Sequence, residues 1–168
     1  MRPRRQLTSV AAIIVLAGAV TAVVLATPAS GILSGTVVAR ASFQDPVDIK
    51  IKVNDGHQEV FHVSNAGETV VQQIIFGPGG QGGWHSHPGP AVILVKSGAL
   101  TVFSGEATGC TQRNYSAGQA FIDSGQGHVH RPANLSGTQN AEVWVTYFDV
   151  PPGGAFRIDA ADPGNCPI

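Results

Sequence analysis

Between Val47 and Val53 the chain alternates strictly: Val47, Ile49, Ile51 and Val53 are separated by Asp48, Lys50 and Lys52. A period of two puts successive side chains on opposite faces and predicts a half-buried strand. Asn54-Asp55-Gly56 is a turn signal, and Val60–Val63 and Thr69–Phe76 read as further strands. The Gly-rich stretch 77–83 predicts a loop. It lacks the Lys and Ser/Thr of a phosphate-binding loop, and no helical pattern follows it. Ala91–Val95 and Ala99–Phe103 flank Lys96, Ser97 and Gly98, which predicts a hairpin. Ser104–Ser116 reads as a polar loop. Ala120–Ile122 and His128–His130 read as short strands interrupted by Gly125 and Gly127, and residues 134–140 as a turn. Ala141–Val150 is a long strand stopped by Pro151, Pro152, Gly153 and Gly154. Nothing after residue 26 has a 3.6-residue period, so the pattern predicts an all-β sandwich or barrel.

The beginning of the chain has a different pattern. Arg2, Arg4 and Arg5 precede an uncharged run, Leu7–Ala26, rich in Val, Ala, Leu and Ile. A basic cap before an apolar run reads as an export signal, and about 20 residues suffice to cross a bilayer as a helix. Residues 1–30 are therefore expected to be a signal peptide or membrane anchor. The small residues Ala26, Thr27, Ala29, Ser30 and Gly31 permit cleavage without requiring it. Residues 31–46 read as a linker, 47–158 as the barrel domain and 159–168 as a tail. If the segment is retained, its basic end stays inside and the domain faces out; if it is cut, the domain is secreted.

Composition agrees with many turns in a folded domain. Of 168 residues, 43% are hydrophobic and 12% charged, with 21 Gly and 11 Pro spread along the chain. Setting aside the three arginines of the cap leaves 7 basic against 11 acidic residues, a formal charge of −4. No basic patch interleaved with aromatics occurs, so nucleic acid is not an expected partner. The two cysteines, Cys110 and Cys166, both fall in the part expected outside the cell, where disulfides persist. A bond between them would tether the tail to the middle of the domain and contribute about 4 kcal/mol by chain entropy. Two free thiols are the alternative.

The chemistry concentrates at Trp84-His85-Ser86-His87-Pro88. Two His one residue apart on a strand share a face, so both imidazoles can reach one metal ion. His128-Val129-His130 offers a third nitrogen from either histidine. These residues resemble the cupin family. Its first motif is G(X)5HXH(X)3-4E(X)6G. Here Gly79, His85, His87 and Gly98 keep the spacing, and Ala91 stands where the motif has Glu. Its second motif is G(X)5PXG(X)2H(X)3N. Here Gly118 is followed, one residue late, by Gly125 in place of Pro, then Gly127, His130 and Asn134. His130 keeps both the Gly and the Asn spacing, which makes it the preferred third ligand, with His128 in reserve.

The resemblance covers about residues 69–150. It implies a double-stranded β-helix, the cupin jelly-roll barrel, here preceded by the N-terminal hydrophobic helix. It also implies a divalent transition metal (Fe, Mn, Zn, Ni or Cu) held by His85, His87 and His130. With Ala91 at the Glu position the ligands add no negative charge, so water or an anion binds more readily at the vacant position. Three readings follow: an oxygenase-type metalloenzyme, a non-catalytic module holding a small molecule or metal at the cell surface, and a metal-free structural barrel that dimerises by strand exchange. His57 and His62 read as surface or satisfied core, Trp84 and Trp144 as packing, and Asn134 as a loop brace. Of Gln72 and Gln73, one must face inward, as a weak neutral ligand or an outer hydrogen-bonding group.

Overall fold

A computed structural model describes residues 26–54, 58–106 and 109–166. Residues 1–25 of the leader expected over 1–30, and His57, lie outside these residues. Among the described residues no helix is long and apolar enough to cross a membrane. The described residues form twelve strands: β1 Ser30–Ser42, β2 Ile49–Asn54, β3 Gln58–Val63, β4 Glu68–Gln81, β5 His85–Ser86, β6 Ala91–Ser97, β7 Ala99–Glu106, β8 Gly109–Ser116, β9 Ala120–Asp123, β10 His130–Ala133, β11 Ala141–Val150 and β12 Ile158–Asp159.

Seven of them follow the order β12-β5-β10-β4-β11-β6-β9 in a nearly closed antiparallel barrel. β1 pairs with β4, and β7 bridges β10 and β8. β2 and β3 form a separate ribbon in register from Ile49↔Val63 to Asn54↔Gln58, as the alternation and the turn signal predict. The barrel closes because its strands alternate. Ala141, Val143, Val145 and Tyr147 of β11 are buried while the residues between them are half exposed. Ala91, Ile93 and Val95 of β6 do the same. With Val70, Phe76 and Leu100 they form the main core. A smaller core holds Trp84, Phe103, Ala133 and Cys166, with Arg131 stacked 4.6 Å from the Phe103 ring centroid. Trp84 is thus packing, as expected, and His62 is exposed.

Several local expectations yield to tertiary pairing. Residues 30–42, read as linker, form a strand along β4, from Ser30↔Gln81 to Ser42↔Glu68. The polar stretch 104–116 is mostly strand, since β8 runs in register with β7 from Ala99↔Ser116 to Glu106↔Gly109. The Gly-rich loop is shorter than expected because β4 continues to Gln81. β6 and β7 are not a hairpin: β6 pairs with β11 and β9, whereas β7 pairs with β10 and β8.

At Gly98 the chain turns from β6 into β7. Gly98 has φ +71°, and a Cβ there would lie 2.3 Å from the Asn140 carbonyl oxygen. Gly98→Ala is therefore expected to cost about 2 kcal/mol, read as a lower urea midpoint with an unchanged slope. An unchanged midpoint would contradict the crowding.

Candidate metal centre

β5 and β10 are neighbours with His85 directly opposite His130. The HXH alternation then adds His87 on the same side. The three rings gather with centroids 4.5 Å apart for His85–His130, 4.9 Å for His85–His87 and 5.2 Å for His87–His130. All three side chains are buried, and one ring nitrogen of each lies within 4.8 Å of the others.

The surroundings fix the tautomers. Carbonyl oxygens only accept, so His85 Nδ1 donates to Gly83 O at 2.9 Å and His87 Nδ1 to Phe156 O at 2.7 Å. Their lone pairs are left on Nε2. His130 Nδ1 lies 3.2 Å from Asp123 Oδ1, an ion-pair distance outside hydrogen-bond geometry. A neutral imidazole oriented by an oxygen at its other nitrogen is the form that ligates a metal. Burial first, then the charges of His130, Arg157 and His87, push His85 down to about 2. Burial first and His130 next push His87 down to about 4. Both rings are neutral at neutral pH, the state metal ligation requires. The cluster could hold a metal, and the donor set suits Zn, Cu, Fe or Ni.

Gly83 is part of this device. It has φ +69°, and a Cβ there would lie 2.2 Å from the Thr27 carbonyl oxygen. Trp84 N donates to Thr27 Oγ1 at 2.8 Å, so residues before β1 brace the turn whose carbonyl holds His85.

Ala91 is fully buried, with Tyr147 as its partner across one strand and Asp123 across the other. The sequence therefore lacks a carboxylate at the motif position and has one on the adjoining strand. Asp123 is buried; it accepts from His128 Nδ1 at 2.7 Å and from Gly125 N at 3.0 Å, and it faces His130. Burial opposes its charge, but His130 and the His128 hydrogen bond outweigh this and hold the carboxyl below the ordinary range. His128 does not join the trio. It sits behind Asp123, and Asp123, His128 and His130 form a second, overlapping set of potential ligands. Asp123→Asn keeps the shape and removes the charge. It is expected to weaken metal binding about 10–100-fold in chelator competition. Unchanged affinity would show that Asp123 only supports the fold.

Gln72, not Gln73, faces inward. Tyr147 Oη donates to Gln72 Oε1 at 3.0 Å, whereas Gln73 Nε2 donates to Glu142 at 2.6 Å. Gln72, Tyr147, Phe156 and Arg157 line a cavity of about 330 Å3 that reaches His85 and His87. Asn134 braces the loop as expected: its Nδ2 donates to Gly77 O at 2.9 Å and Gln139 O at 2.7 Å. Sequence reasoning missed Asp123, Tyr147, Phe156 and Arg157. Period-two alternation from Val143 could have marked Tyr147 as inward-facing; nothing local marks Phe156 or Arg157. Cys110 and Cys166 are bonded, with Cα atoms 4.9 Å apart.

No model of a protein family matches the chain, and no curated protein matches it significantly. Among solved structures, an oxalate oxidase is similar over 48% of this chain and 41% of its own, with 26% identity and a TM-score of 0.43. A vicilin from Corylus avellana (hazelnut) is similar over 46% of this chain and 22% of its own, with 12% identity and a TM-score of 0.43. A protein of unknown function from Streptococcus pyogenes is similar over 46% of this chain and 61% of its own, with 17% identity and a TM-score of 0.40. The matched part thus spans less than half of the oxalate oxidase chain. The fold itself is read from the strands. A nearly closed antiparallel barrel, with His85, His87 and His130 gathered inside it at the motif spacings, gives this chain a cupin fold.

Proposed function

We propose that the protein is an exported or membrane-anchored cupin that holds one divalent transition metal through His85, His87 and His130 and presents it to a small molecule in the barrel cavity. One observation carries the reading: three buried imidazoles, each turned so that Nδ1 faces an oxygen of its own chain. A bound metal supplies Lewis-acid or redox chemistry, and a set of three nitrogens leaves positions for a ligand. Oxygenase-type catalysis is the enzymatic form of this reading.

The non-catalytic binding module is the second form. It is favoured by the lining of the cavity, where Tyr147 and Gln72 engage each other and no carboxylate stands ready as a base. Burial raises the Tyr147 hydroxyl above its ordinary range, so it stays protonated. The disulfide supports export, because such bonds persist outside the reducing cytoplasm.

The test is metal content of the purified chain after growth with Fe, Mn, Zn, Ni and Cu supplied. One metal per chain is expected. Structural zinc sites gain about 10–16 kcal/mol from four ligands, so His130→Ala should weaken binding roughly a hundredfold. A wild-type protein that takes up no metal would sink the proposal. An unchanged affinity in His130→Ala would remove that residue from the site.

A further inference from the structure

We infer that the cavity reaching His85 and His87 takes a small organic carboxylate with an apolar body. The inference rests on the metal reading for part of its positive charge, and on the cavity lining for the rest.

Charge comes first. Three neutral imidazoles leave a divalent ion with its full charge, and the lining adds the Arg157 guanidinium. Among the described residues, no Asp or Glu lines the cavity. Asp123, the nearest buried carboxylate, is not part of that lining, and its oxygens are turned to His128, His130 and Gly125. Arg157 Nε pairs with the exposed Asp159 Oδ1 at 2.6 Å, which orients the side chain, offsets part of its charge and leaves the other guanidinium donors for a ligand. The Arg157 side chain is 29% exposed, so it sits where the cavity meets solvent.

Hydrogen-bond polarity narrows the class. Tyr147 uses its proton on Gln72 Oε1, so Gln72 presents its amide N–H groups. Metal, guanidinium and amide all seek a partner that gives lone pairs. A carboxylate is acceptor-only and fits such a lining, whereas a neutral amide or alcohol brings a donor that competes. Ile32, Ile74, Phe76 and Phe156 supply the rest of the wall and call for an apolar body. At about 330 Å3 the cavity lies at the small end for ligand sites. Inorganic phosphate matches the charge and not the apolar wall.

The experiment loads the full-length chain with Zn(II), measures metal per chain, and titrates it calorimetrically with pentanoate, pentanamide, acetate and inorganic phosphate. Pentanoate is expected to bind at least about tenfold tighter than pentanamide. Acetate should be weaker by roughly fourfold per lost methylene. Arg157→Gln should weaken pentanoate about tenfold and pentanamide by clearly less, with one zinc still bound per chain. With one zinc bound, equal affinity for pentanoate and pentanamide, tighter binding of phosphate, or no effect of Arg157→Gln each overturns the inference and leaves the metal reading standing. With no zinc bound, the metal reading falls by itself. The same titration of the metal-free chain then decides the inference: a pentanoate preference lost in Arg157→Gln upholds it, and its absence overturns it.

Discussion

Acidifying the metal-free protein from neutral pH to about pH 4 is expected to cost on the order of 5 kcal/mol of folding stability. His85 and His87 carry the effect. Burial holds their folded-state values at about 2 and about 4, against 6.5 for the free side chain. Between the folded and unfolded values the unfolded chain binds protons that the folded chain refuses. Stability therefore falls as pH drops below about 6.5, continuing to about 4 for His87 and beyond it for His85. Each ring contributes up to about 1.4 kcal/mol per pH unit across its window. Asp123 adds a loss in the same direction at lower pH, because its carboxyl is held below the ordinary range. A domain stable by about 5–15 kcal/mol would lose much of its margin. Urea unfolding at stepped pH reads the slope. The double variant H85N/H87N should flatten it, and added metal should move the loss to lower pH, since ion and proton compete for the same nitrogens. A wild-type protein equally stable at both ends of the range would show that the rings are not buried as described.

How much of this could be read from the sequence depends on which features are local. The shared face of His85 and His87 follows from period two alone. His130 followed from its distance to Gly127 and Asn134, and the structure brings it opposite His85. Pairing partners are not local. Lys96-Ser97-Gly98 has the composition of a hairpin turn, yet the backbone of Val95 bonds to residues 118 and 119, not to β7. Residues 30–42 look like a linker because their side chains stay largely exposed; what makes them a strand is β4, far along the chain. Asp123 became significant only when register set it beside Ala91, and Gln72 was separated from Gln73 only by Tyr147 across the sheet. In the tail, 159–168, only Cys166 carried a signal, and nothing local marked residues 155–158 just before it. Their contribution, the Phe156 carbonyl and the Arg157 side chain, depends on β12 lying along β5.

That dependence gives the disulfide a role beyond stability. Replacing both cysteines (C110A/C166A) is expected to destabilise the protein by about 4 kcal/mol, for a bond joining residues 56 apart. In a chain of this size, that lowers Tm by about 10 °C. Cys166 is buried against Trp84 and Phe103, the residue before it sits beside Gly105, and Trp84 O accepts from Ala160 N at 2.9 Å. The bond thus fastens the segment that runs back through β12 to Phe156. Once it is removed, the segment is still tied by the β12 pairing, by Ala160 to Trp84 and Thr27, and by the His87–Phe156 contact. His87 then spends part of its time without the oxygen that fixes its tautomer. Metal affinity should fall by about tenfold or more below the new Tm, where the barrel is still folded. A lowered Tm with unchanged metal affinity would separate the two roles and confine the disulfide to stability. An unchanged Tm would show that the tail is held by its packing alone.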